Sequence, residues 1–177
     1  LTIDPFLYFD TDCISSFLWV KRENLLLQLY SHRVIIPKQV YDELGGVPHF
    51  RAKIDILINK GDVKIIEILY GTNEHAWYSE FTRSPKRGHA YIGRGEAAAL
   101  ALAKCNNGIV ASNNLKDISL YVHELKISHV TTGDIMKEAM NRNFITEQQG
   151  NVLWNEMLNK KQWIGYSSFT EYLQTNR

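Results

Sequence analysis

Asp10 and Asp12 stand two residues apart, where the apolar run Leu7-Tyr8-Phe9 gives way to a helix-like segment. In an open parallel sheet ligands bind in the crevice at the carboxyl ends of the strands, so an acid there is a candidate ligand of a hard cation. Asp12 shares a face with Asp10 if the strand continues that far. Capping of the next helix accounts for one of the pair equally well, with Asp12 the natural cap. Metal chemistry needs further acids from elsewhere in the chain, and three stretches offer them. Glu43 falls in the last turn of an amphipathic segment, where the helix dipole disfavours an anion and Lys or Arg is expected of a residue without function. Glu96 falls in the first turn of an alanine-rich segment, where capping alone explains it. Asn113-Asn114 close a β-branched run, and Asp117 lies one helical turn beyond Asn113 on the same face. Acids gathered together repel, and one stays protonated unless a cation holds them. A cation so held would supply an activated water and offset charge developing on a scissile phosphate.

The elements that would carry these residues alternate along the chain. The strand ending at Asp10 leads into helix from about Ile14 to Tyr30, with Leu25 to Leu29 in a second, buried helix. Val34-Ile35-Ile36 is a short strand closed by Pro37, which suits the first turn of the next helix. There Val40, Tyr41 and Leu44 repeat at helical spacing, and Gly45-Gly46 end it. A helix from Phe50 to Lys60 stops at Gly61, and Val63 to Ile68 reads as a strand. Residues 71–93 are the least regular, mixing Trp77, Tyr78, Phe81 and Tyr91 with Arg83, Lys86, Arg87 and His89. Such a mixture suits stacked bases and held phosphates. A solvated loop after a helix, its aromatics packed inward, suits it at least as well. A helix through 96–103, a strand over 108–112, a helix over 115–124 and a strand over 127–130 follow.

The pattern predicts an α/β fold, three layers with a mainly parallel central sheet. After residue 132 it turns all helical. This divides the chain into an α/β domain over 1–132 and a helical C-terminal extension over 133–177 packed on it. Thr146 with Gln149, and Ser168 with Glu171, have the spacing of helix starts.

The 177 residues, 45% hydrophobic and 22% charged, suffice for one core with a small appendage. A net charge of +1 gives no general pull toward polyanions, so any such binding must be local. Cys13 and Cys105 are isolated, as expected of free buried thiols in a reducing compartment. The six histidines (His32, His49, His75, His89, His123, His129) lack metal-ligand spacing. No apolar run approaches a membrane span. No basic stretch followed by an apolar core opens the chain, so the expected location is the cytoplasm. Leu1 in place of Met suggests that residues precede it.

Phe9-Asp10-Thr11, Ile36-Pro37-x-x-Val40-x-x-Glu43-Leu44, Gly95-Glu96-Ala97 and Ser112-Asn113-Asn114, in that order over roughly 7–139, resemble the PIN-domain nucleases. The stretch from Gly93 to Ala103 most resembles an uncharacterised prokaryotic branch. The resemblance implies a Mg²⁺- or Mn²⁺-dependent endoribonuclease, in some members the toxin of a toxin–antitoxin pair. Its implied partners are RNA, an antitoxin protein and a second copy in a homodimer. It also implies catalytic roles for Asp10, Glu43, Glu96 and the position of Asn113, with Asp10, Glu96 and Asn113 on the metal. The family carries Asp where this chain has Asn113, and often a second Asp where it has Asn114. An amide oxygen can ligate a hard cation but brings no charge; Asp12 and Asp117 are the acids placed to compensate. Arg83, Lys86, Arg87 and Arg94 are the expected nucleic-acid contacts.

Two other readings stand beside this one. In the first the fold has lost catalysis and only binds nucleic acid or a protein. In the second, Asp10-x-Asp12, Ser112-Asn113 and Gly133-Asp134-x-x-x-Glu138 resemble the haloacid-dehalogenase phosphatases. Asp10 would then be the nucleophile, Asp12 the acid/base and Asp134 a Mg²⁺ ligand, with Glu43 and Glu96 left without a role.

Overall fold

A computed structural model describes residues 4–83 and 88–176. Five short strands, β1 (Leu7–Phe9), β2 (Val34–Pro37), β3 (Val63–Ile66), β4 (Ile109–Ala111) and β5 (Ser128–Val130), pair in the order β3-β2-β1-β4-β5, all parallel. Side chains alternate faces along a strand, and here both faces are covered. Leu7, Phe9, Val34, Ile36 and Ala111 enter one core; Tyr8, Ile35 and Val110 enter the other. That two-sided burial explains why the strands read as continuous apolar runs.

The first face is covered by α1 (Thr11–Trp19), α2 (Glu23–Leu29), α3 (Lys38–Leu44) and α4 (Pro48–Asn59), and the second by α5 (Asn73–Arg83), α6 (Arg94–Cys105) and α7 (Leu115–Leu125). The C-terminal helices α8 (Thr132–Asn141), α9 (Glu147–Asn159) and α10 (Phe169–Thr175) add to the first face. Ile135, Met136, Ala139, Trp154 and Phe169 share one continuous core with Leu7 and Phe9. The architecture is three-layered α/β/α, as the alternating pattern implied. None of the described helices is long and apolar enough to cross a membrane.

The segment from about Ile14 to Tyr30 forms two helices, as expected, and the break falls at Lys21, whose left-handed backbone (φ 56°) no continuous helix admits. Three local expectations change. The last strand residues fall away, and β3 ends at Ile66 rather than Ile68. The stretch 73–83, expected to be irregular, is the helix α5. Its Phe81 is fully buried in the core formed with α6, and Trp77 stacks on it with ring centroids 5.7 Å apart. Lastly, β1 stops at Phe9, so Asp12 lies in the first turn of α1 and does not share a strand face with Asp10.

What matters for function is where the sheet reverses direction. From β1 the chain winds outward to β2 and β3, then returns to the other side of β1 for β4 and β5. The β1/β4 boundary is therefore the topological switch point, where the connections leaving the strand ends part and leave a crevice. Asp10 follows β1, and Ser112, Asn113 and Asn114 follow β4.

Candidate active site

Asp10 is fully buried at the switch point, its backbone N–H donating to the Ala111 carbonyl at 2.9 Å. It is also the N-cap of α1: Oδ1 accepts the Cys13 amide at 2.8 Å. Capping thus falls to Asp10, whereas the sequence suggested Asp12, because the strand ends one residue earlier than the alternation allowed. Oδ2 is buried and has no hydrogen-bond partner. Burial pushes the Asp10 carboxyl up to about 8. The Ser112 hydroxyl and the Cys13 amide act against that rise, while Asp12 and Glu96 add to it. Ser112 stands close enough to favour the anion without completing a bond to Oδ2, and its oxygen accepts the Asn114 amide at 3.2 Å.

Glu43 reaches from the end of α3 to the start of α6. Its carboxylate accepts the Thr11 hydroxyl and, at 3.1 Å, the Gly95 amide. Gly95 lies in the first turn of α6, where N–H groups have no partner within the helix and the dipole favours an anion. The carboxylate that looked misplaced at the C-terminal end of its own helix thus sits at the N-terminus of another. A Cβ at Gly95 would lie 2.6 Å from Glu43 Oε2, 3.0 Å from Thr11 Oγ1 and 3.1 Å from Val40 Cγ2. Gly95→Ala is therefore expected to cost about 1–3 kcal/mol, the usual penalty of overpacking. Denaturant unfolding should show it as a lower midpoint, and a midpoint equal to wild type would contradict this packing.

Glu96 reaches back to accept the Gly93 amide at 3.3 Å. Burial raises its carboxyl above the usual range, with Asp12 and Asp117 adding to the rise; the Asn114 side chain and the Gly93 amide oppose it. Burial raises Asp12 as well, and Glu43 contributes. Asp10, Thr11, Asp12, Glu43, Gly93, Gly95 and Glu96 line one open pocket of about 130 Å³.

The amide that meets these acids is Asn114. Its Nδ2 donates to Asp117 Oδ2 at 2.8 Å, and its side chain stands close enough to Glu96 to favour that anion. Asn113 turns the other way: its Oδ1 accepts the Thr132 amide at 2.9 Å, at the start of α8. Adjacent residues at the mouth of a strand diverge, and nothing in Asn113-Asn114 as sequence says which one faces inward. Thr11, Gly95 and Ser112 are further site residues that sequence reasoning did not single out. A glycine in the first turn of an alanine-rich helix was the one available signal, since glycine is otherwise unfavourable there.

Arg94 is exposed on the first turn of α6, beside Tyr78, Glu43 and Asp42, which together hold its guanidinium charged. Arg83 ends α5, exposed. Lys86 and Arg87 lie outside the described residues. Asp134 is absorbed by structure: Oδ2 accepts the Thr131 amide and hydroxyl, and Oδ1 accepts the Tyr172 hydroxyl at 2.6 Å.

The donors around the pocket are all oxygen, which suits Mg²⁺ or Mn²⁺. The orphaned, buried Oδ2 of Asp10 is the kind of atom a cation would satisfy. Among the described residues, no three His, Cys, Asp or Glu side chains are yet arranged to hold a metal ion. The chemistry of the site fits a hard cation, and closing on one requires the acids to draw together.

A three-layer parallel fold with carboxylates from three separate stretches at its switch point defines a class of acidic-site α/β/α proteins. Within that class, a family model described as a PIN domain matches residues 7–176, and the chain belongs to the PIN-domain family. No curated protein matches the chain. Family membership carries a nuclease-like fold.

Proposed function

We propose that this PIN domain is a Mg²⁺- or Mn²⁺-dependent endoribonuclease with an altered acidic site. The observation that carries the reading is the convergence of Asp10, Asp12, Glu43 and Glu96 on one pocket at the switch point, with Asp10 Oδ2 unpartnered. Asp10, Glu96 and Asp12 are the residues that would hold the cation; Asn114, backed by Asp117, stands where an amide oxygen could join them. When bound, the cation supplies an activated water and charge neutralisation at the scissile phosphate. Glu43 positions: through Thr11 and Gly95 it fixes the approach of α1 to α6. Arg94, the guanidinium beside the pocket, is placed to meet a phosphate oxygen. Incubation of labelled single-stranded RNA with the protein should give cleavage in Mn²⁺ and none in excess chelator. Intact RNA in both would leave the site without this activity. A toxin role, with an antitoxin protein or a second copy as partner, is a narrower proposal resting on the same activity.

One observation favours a second reading, a PIN fold that binds without cutting. Asn114 donates to Asp117 and stands beside Glu96 as a neutral amide, which moderates repulsion in the site without any cation. Restoring the charge separates the two. Asn114→Asp is expected to destabilise the metal-free protein and to raise Mn²⁺ affinity roughly tenfold. That is a fraction of the about 4 kcal/mol between unit charges at ~4 Å in an effective dielectric near 20, because desolvation and repulsion oppose it. Asn113→Asp, facing α8, should leave Mn²⁺ affinity nearly unchanged. Calorimetric titration of both variants checks this. An enhancement at Asn113 alone would reverse the assignment of the inward-facing amide, and none at either would favour the binding module.

A further inference from the structure

Asn113, which turns away from the acids, opens onto a second cavity of about 180 Å³. Among its walls are Asn113, Leu115, His129, Asp134, Tyr166 and Tyr172. It lies between the loops after β4 and β5 and the segment leading into α10. Asn113 and Asn114 are consecutive, so the wall of this cavity is joined by one peptide unit to the residue whose side chain donates to Asp117.

The chemistry of this second cavity differs from that of the first. Its walls carry no lysine or arginine, and they do carry the Asp134 carboxylate, so it does not suit a phosphate. Both Asp134 oxygens are already engaged by Thr131 and Tyr172, which leaves the polar reading of the cavity to other groups. Asn113 Nδ2 is one: its oxygen is fixed by the Thr132 amide, and the nitrogen is buried with no acceptor. An unpaired buried donor is costly and marks a place where an acceptor is missing. His129 is the other. Its Nε2 lies 3.0 Å from the Ser112 carbonyl, which can only accept, so Nε2 carries the proton. In the neutral ring Nδ1 is then an acceptor, and it has no protein partner among the described residues. Around this donor and acceptor stand the Tyr166 and Tyr172 rings and Leu115, which is 46% exposed. The volume is below the ~300–1,000 Å³ of sites for drug-sized ligands, and leaves room for one planar ring system.

A neutral planar heterocycle with both donor and acceptor edges, stacked on aromatic walls, is a nucleobase. We propose that this cavity is a nucleobase subsite, seating the base of a nucleotide that flanks the phosphate at the acidic pocket. The proposal deepens the endoribonuclease reading and rests on it for the identity of the chain that supplies the base. It makes Asn113, His129 and Tyr166 specificity-determining residues, and it gives the divergence of Asn113 from Asn114 a purpose: one amide for the acids, the other for the base.

The test is titration of the metal-free protein with each of the four ribonucleoside 5′-monophosphates, followed by NMR. The His129 ring protons and the indole N–H of Trp163, next to Ile164 in the cavity wall, report binding. At millimolar concentration at least one nucleotide should shift both signals, and bases should differ in affinity. Leu115→Trp, a change at a partly exposed wall, should weaken binding at least tenfold, and Tyr166→Leu should weaken it similarly through lost stacking. Val152→Ala, on the exposed side of α9, should bind as wild type does. If none of the four shifts these signals, or both wall variants bind unchanged, the proposal is overturned. That pattern is also expected if an aromatic side chain of a partner protein fills the cavity. Nucleotide binding without RNA cleavage would keep the subsite and remove the nuclease reading; cleavage without nucleotide binding would do the reverse.

Discussion

Glu96→Gln should abolish Mn²⁺-dependent cleavage of single-stranded RNA, with a loss on the order of 10²–10³ or more. That range is what removal of one preorganised electrostatic group costs at a charged transition state. The substitution is nearly isosteric, and the Gln oxygen can still accept the Gly93 amide that Glu96 now caps, so α6 should start as before. The negative charge facing Asp12 and the Asn114–Asp117 pair is what disappears. Folding is therefore expected to hold, with an unfolding midpoint at or slightly above wild type, since burial and neighbouring acids both act against the Glu96 anion. Cleavage by Glu96→Gln at a rate near wild type would remove Glu96 from the chemistry. It would also remove Glu96 from the residues that would hold the metal. The haloacid-dehalogenase reading makes the opposite forecast, with Glu96 dispensable and Asp134 required. The capture of Asp134 by Thr131 and Tyr172, together with the family, speaks against it.

The second large effect is on stability against pH in the absence of metal. Asp10 titrates near 8 in the folded protein, against an ordinary carboxyl value of 3.8 when unfolded. Between those values the folded state holds a proton that the unfolded state has released, so unfolding is favoured as pH rises. The contribution is fully present below about pH 4 and is lost progressively until pH passes about 8. Chelator-treated protein should therefore lose several degrees in melting temperature between pH 5.5 and 8.5. Asp10→Asn carries no charge to bury, keeps an oxygen for the Cys13 amide, and should flatten that slope while raising stability at pH 8.5. Mn²⁺ should stabilise the wild type most at high pH, where Asp10 ionises at least cost, and should do little for Asp10→Asn. Equal slopes in the two proteins would mean that Asp10 is not held protonated, and the buried orphan oxygen would need another explanation.

The sequence by itself determined the layers and the order of the elements. Continuous apolar runs of β-branched residues alternated with segments of helical period, and parallel strands buried on both faces have no other common home. It also determined that acids stand at the ends of separate elements, because Asp10, Glu43 and Glu96 each border a run whose period is plain. Direction at those ends was decided only by the tertiary structure. Whether Asp10 or Asp12 caps α1 turned on one residue of strand length, which the pairing of β1 with β4 sets. Glu43 could be placed as an anion at the wrong end of α3. Only the approach of α6 revealed that it answers the Gly95 amide. Asn113 and Asn114 are chemically identical, and the backbone path between β4 and α7 sends one to α8 and the other to the acids. Local period and propensity are written in neighbouring residues, whereas a side chain's partner at a strand end comes from a segment tens of residues away.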